Sequence, residues 1–202
     1  MNDEFVKEIL EKFREDETGK LCRTYFLLNQ LGRKLWSKSA RKERRVIMSD
    51  MRTLGNLILQ LRKEAHDDSL EGRDILKRKN FENLTKAIQQ MTHNEDTGIL
   101  KPGLKLDVGF LLKKIVKVMK GRYIQENNLN EAEEQDRFST LLDLNWKLIF
   151  YTAQLMCEER RQNLRKPGDM PLEKDITALR NFIVEETARL SDSFYEILLL
   201  RL

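Results

Sequence analysis

The stretch Lys101-Pro-Gly-Leu-Lys-Leu-Asp-Val-Gly-Phe-Leu-Leu-Lys-Lys-Ile-Val-Lys-Val-Met-Lys-Gly-Arg122 decides the fold class. Wound at about 100° per residue, it sorts into two faces. Leu104, Val108, Leu111, Leu112, Ile115, Val116, Val118 and Met119 share one side. Lys113, Lys117 and Lys120 share the other, with Lys114 beside them. Pro102-Gly103 suits a helix start, and Gly121 reads as its end. Asp107 is the only acid in the stretch, and no lysine has an acidic partner at i±4. Such a row repels itself, so helix stability alone does not explain it. Three uses stay open: a solvated face, an anion site, or a surface for a polyanion.

The rest of the chain agrees with an all-α, multi-helix bundle, expected to divide into two helical subdomains. Only 9 Gly and 3 Pro occur in 202 residues, and no run alternates apolar and polar residues as a strand does. Residues 3–16 form a short amphipathic pattern with Phe5, Ile9, Leu10 and Phe13 on one side. A second helix is expected from about Lys20 to Ser37, continuing through a basic cluster into Ile47, Met51, Leu54, Leu57, Ile58 and Leu61 and ending near His66. Ser69 is placed to cap a short turn, and Asn80 to cap a helix holding Phe81, Leu84, Ile88 and Met91. An acidic run at Glu131–Asp136 opens a long helix that is expected to continue through Trp146 and Met156 to Arg160. The polar segment 93–98 and the Pro/Gly-containing segment 166–171 read as connections. They divide the chain into 1–95, a helical region with the basic cluster; 100–166, a second helical domain; and 170–202, the start of a further helical segment. That last segment stops inside the apolar run Phe194–Leu202. It is expected either to be cut short or to dock as a C-terminal helix in the core.

The chain carries 37 basic and 33 acidic residues, for a net charge of +4. Local clusters therefore matter more than the total. Arg33, Lys34, Lys38, Arg41, Lys42, Arg44 and Arg45 crowd together against Glu43 alone. Phosphate binding, nuclear targeting and a merely solvated helix start all fit this cluster. The candidate phosphate contacts are Arg41, Lys42, Arg44 and Arg45 here, with Lys113, Lys114, Lys117 and Lys120 on the later helix. The basic end at Arg160, Arg161, Arg165 and Lys166 suits a helix C-terminus on structural grounds.

Chemistry is sparse. His66 and His93 lack ligand-spaced Cys, His or carboxylate neighbours. There is no phosphate-cradling glycine loop and no nucleophile elbow. The carboxylates sit among basic neighbours, where ion pairing is the default. The chain by itself is expected not to be an enzyme, and to use no metal and no cofactor. Cys22 and Cys157 are expected to be reduced thiols, which places the chain in the nucleus or cytoplasm. No apolar run is long enough to cross a membrane.

The order of these features resembles a known group. A basic segment, Leu31-Gly-Arg-Lys-Leu-Trp36, leads into Met51-Arg-Thr-Leu-Gly-Asn-Leu-Ile-Leu-Gln-Leu-Arg-Lys63. Leu104–Ile115, Trp146-Lys-Leu-Ile-Phe-Tyr-Thr-Ala153 and Met170–Ile183 follow. This order is similar to that of animal proteins related to Crypton-type, transposon-derived tyrosine recombinases, enzymes of DNA integration. The resemblance implies a helical core-binding domain that clamps duplex DNA, followed by the first helices of a catalytic domain. The departure is equally definite. The Arg-His-Arg set and the nucleophilic Tyr of that family are not in this chain, so no catalytic position carries over and Tyr195 is not read as a nucleophile. The cysteine/histidine finger that often precedes the family's core is absent as well.

Two functional expectations follow. The first is a non-catalytic module that binds double-stranded DNA. The alternative is a helical protein-interaction or oligomerisation module, with a homo-oligomer formed through the apolar C-terminal helix.

Overall fold

The computed structural model describes residues 3–37, 44–93, 97–164 and 173–199. Among them the chain is all-α, a multi-helix bundle with no strand beyond one isolated bridge between His93 and Leu100. The helices are α1 (Asp3–Glu8), α2 (Glu17–Thr24), α3 (Phe26–Trp36), α4 (Arg44–Ala65), α5 (Phe81–Thr92), α6 (Pro102–Gln125), α7 (Leu129–Leu144), α8 (Trp146–Leu164) and α9 (Glu173–Leu199). Short 3₁₀ turns occupy Leu10–Lys12, Gly72–Leu76 and Arg78–Asn80. The chain forms two compact units, Met1–Cys157 and Glu158–Leu202.

In the first unit α4 is one organising helix. Its apolar stripe of Ile47, Met51, Leu54, Leu57, Ile58 and Leu61 is buried, and the helix packs against α2, α3, α5 and α6. The second organising helix is α6, which buries Val108, Leu111, Leu112, Ile115, Val116 and Met119 against α3, α4, α5 and α7. Burying side chains of this size contributes about 1.5–3 kcal/mol each, which is why these two stripes fix the bundle. The four apolar residues read in residues 3–16, Phe5, Ile9, Leu10 and Phe13, are all buried in the same core. Because α5 and α6 join that core, the domain boundary expected at 95–100 gives way to a unit that continues to Cys157.

Several helix ends differ from the sequence reading, each for a local reason. The helix expected from Lys20 to Ser37 breaks at Tyr25, whose backbone is extended. The Asn29 amide donates to the carbonyls of Cys22, Arg23 and Tyr25 at 3.1–3.3 Å, closing the C-terminus of α2. The turn after Asp67 is held by the Ser69 N–H and hydroxyl donating to Asp67 Oδ1, while the 3₁₀ turn starts later, behind a Glu71–Asp74 capping box. Asn80 precedes α5 as expected, but its side chain donates to the Asp74 carbonyl instead of capping the helix. The long helix from the acidic run to Arg160 is two helices, because Asn145 ends α7 with its amide donating to the Leu141 carbonyl.

The end of α6 is the most instructive difference. Gly121 is interior, and the helix continues to Gln125. Asn127 takes the left-handed conformation at φ 56°. The Asn128 N–H then donates to the Tyr123 carbonyl and the Asn127 N–H to the Ile124 carbonyl, the two bonds of a Schellman closure. Asn128 at once caps α7, accepting from the Glu131 N–H. Two consecutive asparagines thus turn the chain back on itself, and α7 returns along α6.

In the second unit, α9 spans 27 residues. Among the described residues, no helix is long and apolar enough to cross a membrane.

Candidate phosphate-binding groove

The lysine row of α6 meets carboxylates supplied by other helices. Lys113 Nζ lies 2.6 Å from Asp143 Oδ1 and 3.8 Å from the centre of the Trp146 ring. Lys120 Nζ lies 2.7 Å from Asp136 Oδ1. Lys114 reaches Asp50 of α4 at 3.5 Å; burial pushes the Asp50 carboxyl up, and the nearby Lys114 ammonium opposes that shift. The sequence reading of this face as a row without acidic partners is therefore corrected: three of its four lysines have partners, none of them on α6 itself. The pairs follow from the Asn127-Asn128 turn, because two helices running back along each other bring matched positions opposite.

Of the basic cluster, Arg44 pairs with Glu8 of α1. Arg45 lines a groove between α4 and α6 that also holds Asp50 and Asp107. Arg41 and Lys42 lie outside the described residues.

Lys117 is placed differently. It faces α3 across a groove of about 310 Å³. The α3 wall is Gln30, Arg33, Lys34 and Ser37, and the α6 wall is Lys117, Val118, Gly121, Arg122 and Gln125. Among the described residues, four cations line this groove and no carboxylate does, whereas Glu71 and Glu131 line a second groove and Asp50 and Asp107 a third. Lys34 and Lys117 form no ion pair among the described residues. Arg122 is shared with Glu126 at 2.7 Å, and the Arg33 guanidinium stacks 5.1 Å from the Phe5 ring centre, which fixes its position without neutralising it. Gly121 leaves the floor open, since a Cβ there would meet nothing within 4 Å. Gln30, Ser37 and Gln125 add neutral hydrogen-bonding groups at the rim. Such a site can receive phosphate oxygens through charge-assisted bonds.

Of the six predicted phosphate contacts among the described residues, Lys117 alone lines this groove. The sequence reading named Arg33 and Lys34 as part of the basic cluster without placing them at the site, and it passed over Arg122. Their joint signal was the i, i+1 pair at the end of one helix and the i, i+5 pair at the end of another, which converge only once α3 and α6 are packed together.

Among the described residues, no group of three or more His, Cys, Asp and Glu side chains is arranged to hold a metal ion. Comparison with protein-family models, curated proteins and solved structures gives no match to the chain.

Proposed function

We propose that this chain is a non-catalytic helical module that binds the phosphate backbone of duplex DNA through the α3–α6 groove. The supporting observation is the groove wall itself: Arg33, Lys34, Lys117 and Arg122, with no acid among the described lining residues. Sequence continues the basic character beyond α3 through Lys38, Arg41 and Lys42. Contacts of this kind give affinity and register without reading base sequence. The resemblance to the DNA-clamping region of tyrosine recombinases belongs to the same proposal, with the contact surface moved from the Lys113–Lys120 row to the groove.

The test is fluorescence anisotropy of a labelled duplex across a salt series. Binding that weakens with salt is expected, with a log–log slope near −0.9 for each phosphate neutralised. Changing Lys34 and Lys117 together to Gln should make that slope shallower by about 2 × 0.9. Absence of binding at low salt, or an unchanged slope in the double variant, removes the proposal.

A second reading, an interaction module with no nucleic-acid role, is favoured by α8. Its Leu148 and Tyr151 are 84% and 53% exposed, on the side away from the buried Ile149, Phe150 and Ala153. Exposed large apolar side chains grouped in this way mark interaction surfaces. The duplex titration separates the two readings.

A further inference from the structure

We infer that the pocket between the Gly72–Leu76 turn, α6 and α7 binds a small zwitterion, a free α-amino acid with an uncharged side chain. It is the groove that Glu71 and Glu131 line, and it shares no lining residue with the α3–α6 groove.

The first observation is Gln135 of α7. Its side chain lines the pocket and is 3% exposed, and its Oε1 is buried with no hydrogen-bond partner among the described residues. Buried polar atoms nearly always have a partner, so this exception calls for one. One helical turn earlier, Glu131 lines the same pocket. Its backbone N–H is taken by the Asn128 cap, but its carboxylate forms no ion pair among the described residues. Lys77 feels that carboxylate, yet its own Nζ is held 2.7 Å from Asp74 Oδ1. On the wall formed by the 3₁₀ turn stands Arg73, whose guanidinium lies 5.7 Å from the Phe26 ring centre. It too forms no ion pair among the described residues. Both charges reach the Tyr123 hydroxyl: burial raises its pKa, Arg73 opposes the rise through its charge and a hydrogen bond, and Glu131 adds to it. Arg73 and Glu131 thus open onto one small space without pairing with each other.

These groups select the ligand. An ammonium suits the Glu131 carboxylate and Gln135 Oε1. A carboxylate suits Arg73, whose planar fork takes two oxygens at once. A free phosphate or a dicarboxylate would be repelled by Glu71 and Glu131, and a simple cation by Arg73. A molecule with one charge of each sign satisfies both. The pocket volume, about 300 Å³, lies at the small end for ligand sites. Leu27 and Leu76, both buried, line it as well and give an uncharged side chain an apolar wall.

Isothermal titration calorimetry of the full chain provides the test, with each free L-amino acid of uncharged side chain titrated to millimolar concentration. Saturable binding of at least one is expected. The N-acetyl and the carboxamide forms of that amino acid should each bind at least tenfold more weakly. Gln135→Met and Arg73→Gln should each raise the dissociation constant at least tenfold. Arg73 is exposed, so its replacement leaves the core untouched, and far-UV circular dichroism checks both variants. Without ligand, Gln135→Met should melt no lower than the parent chain, because it removes a buried unpaired acceptor at similar size. Absence of binding by every amino acid overturns the proposal. So does equal binding of the blocked forms, or an affinity indifferent to either variant. A lower melting temperature for Gln135→Met also overturns it, since the Gln135 amide would then be satisfied within the fold.

Discussion

Lys113 Nζ sits between Asp143 Oδ1, at 2.6 Å, and the face of Trp146, at 3.8 Å from the ring centre. The lysine thus fastens α6 to both the end of α7 and the start of α8. Seven residues further along α6, Lys120 repeats the pairing with Asp136, seven residues earlier on α7. The two ion pairs therefore act as a register mark for the α6–α7 hairpin.

This arrangement predicts that Lys113→Gln combined with Lys120→Gln costs stability and leaves duplex affinity alone. Partly exposed pairs contribute about 0.2–1 kcal/mol each, and the ring contact adds about 0.5–1 kcal/mol for Lys113. Urea denaturation should show a loss of about 1–2 kcal/mol, while the salt slope of duplex binding stays at the wild-type value. A shallower slope would return these lysines to the binding surface.

Which parts of this were legible in the sequence follows from the range of each interaction. The stripes of α4 and α6 are local in sequence, and their period alone placed Met51, Leu54, Leu112 and Ile115 in the core. The Lys113–Asp143 pair was hidden because its partner is thirty positions away, and a search at i±4 sees only one helix. Its trace was nevertheless present, since Lys113 and Lys120 are spaced like Asp136 and Asp143. The breaks at Tyr25 and Asn145 depend on single side-chain amides, Asn29 and Asn145, bonding to carbonyls at a helix end. An apolar period carries no sign of them. The groove needed two helix ends to meet, which no one-dimensional pattern records.

Two glycines of α6 should respond to alanine with opposite signs. A Cβ on Gly109 would lie 2.8 Å from Trp146 and 2.9 Å from Phe150, against ring atoms that are themselves stacked at 4.4 Å. Phe150 is fully enclosed and has no room to yield, so Gly109→Ala should cost about 1–3 kcal/mol and, through the Trp146 contact, shift tryptophan fluorescence. At Gly121 a Cβ meets nothing, and the residue is mid-helix, so Gly121→Ala should add about 0.5–1 kcal/mol. If Gly121 ended the helix in the left-handed conformation, alanine would destabilise instead; the sign of the change in melting temperature decides.

Cys22 should be chemically silent while the chain is folded. Burial pushes its thiol up to about 12, and the side chain is fully enclosed. The thiolate is the reactive form, so a thiol reagent at pH 8 should leave Cys22 untouched in the Cys157→Ser variant and modify it only in denaturant. Rapid modification under native conditions would mean that the α2–α4 contact opens readily.

Asp16 supplies a pH dependence. Its Oδ1 accepts from the Gly19 N–H at 2.6 Å, capping α2, while Arg52 of α4 donates to both carboxylate oxygens at 2.6 and 3.1 Å. The Arg52 hydrogen bonds, then the Gly19 bond, hold the carboxyl down from 3.8 to about 2. A carboxylate whose pKa is lower in the folded chain than in the unfolded one stabilises the fold above the unfolded value and loses that contribution as pH falls toward the folded value. Asp16→Asn keeps a capping oxygen and removes the charge. The wild type should therefore be more stable than Asp16→Asn at pH 6, with the difference shrinking between about pH 4 and pH 2 as the wild-type carboxylate protonates. Urea midpoints for both chains at pH 6, 4, 3 and 2 make the comparison. A difference that persists undiminished at pH 2 would show that α2 is joined to α4 by something other than the Asp16 charge, with the Thr18 hydroxyl donating to Asn56 Oδ1 at 2.6 Å the nearest alternative.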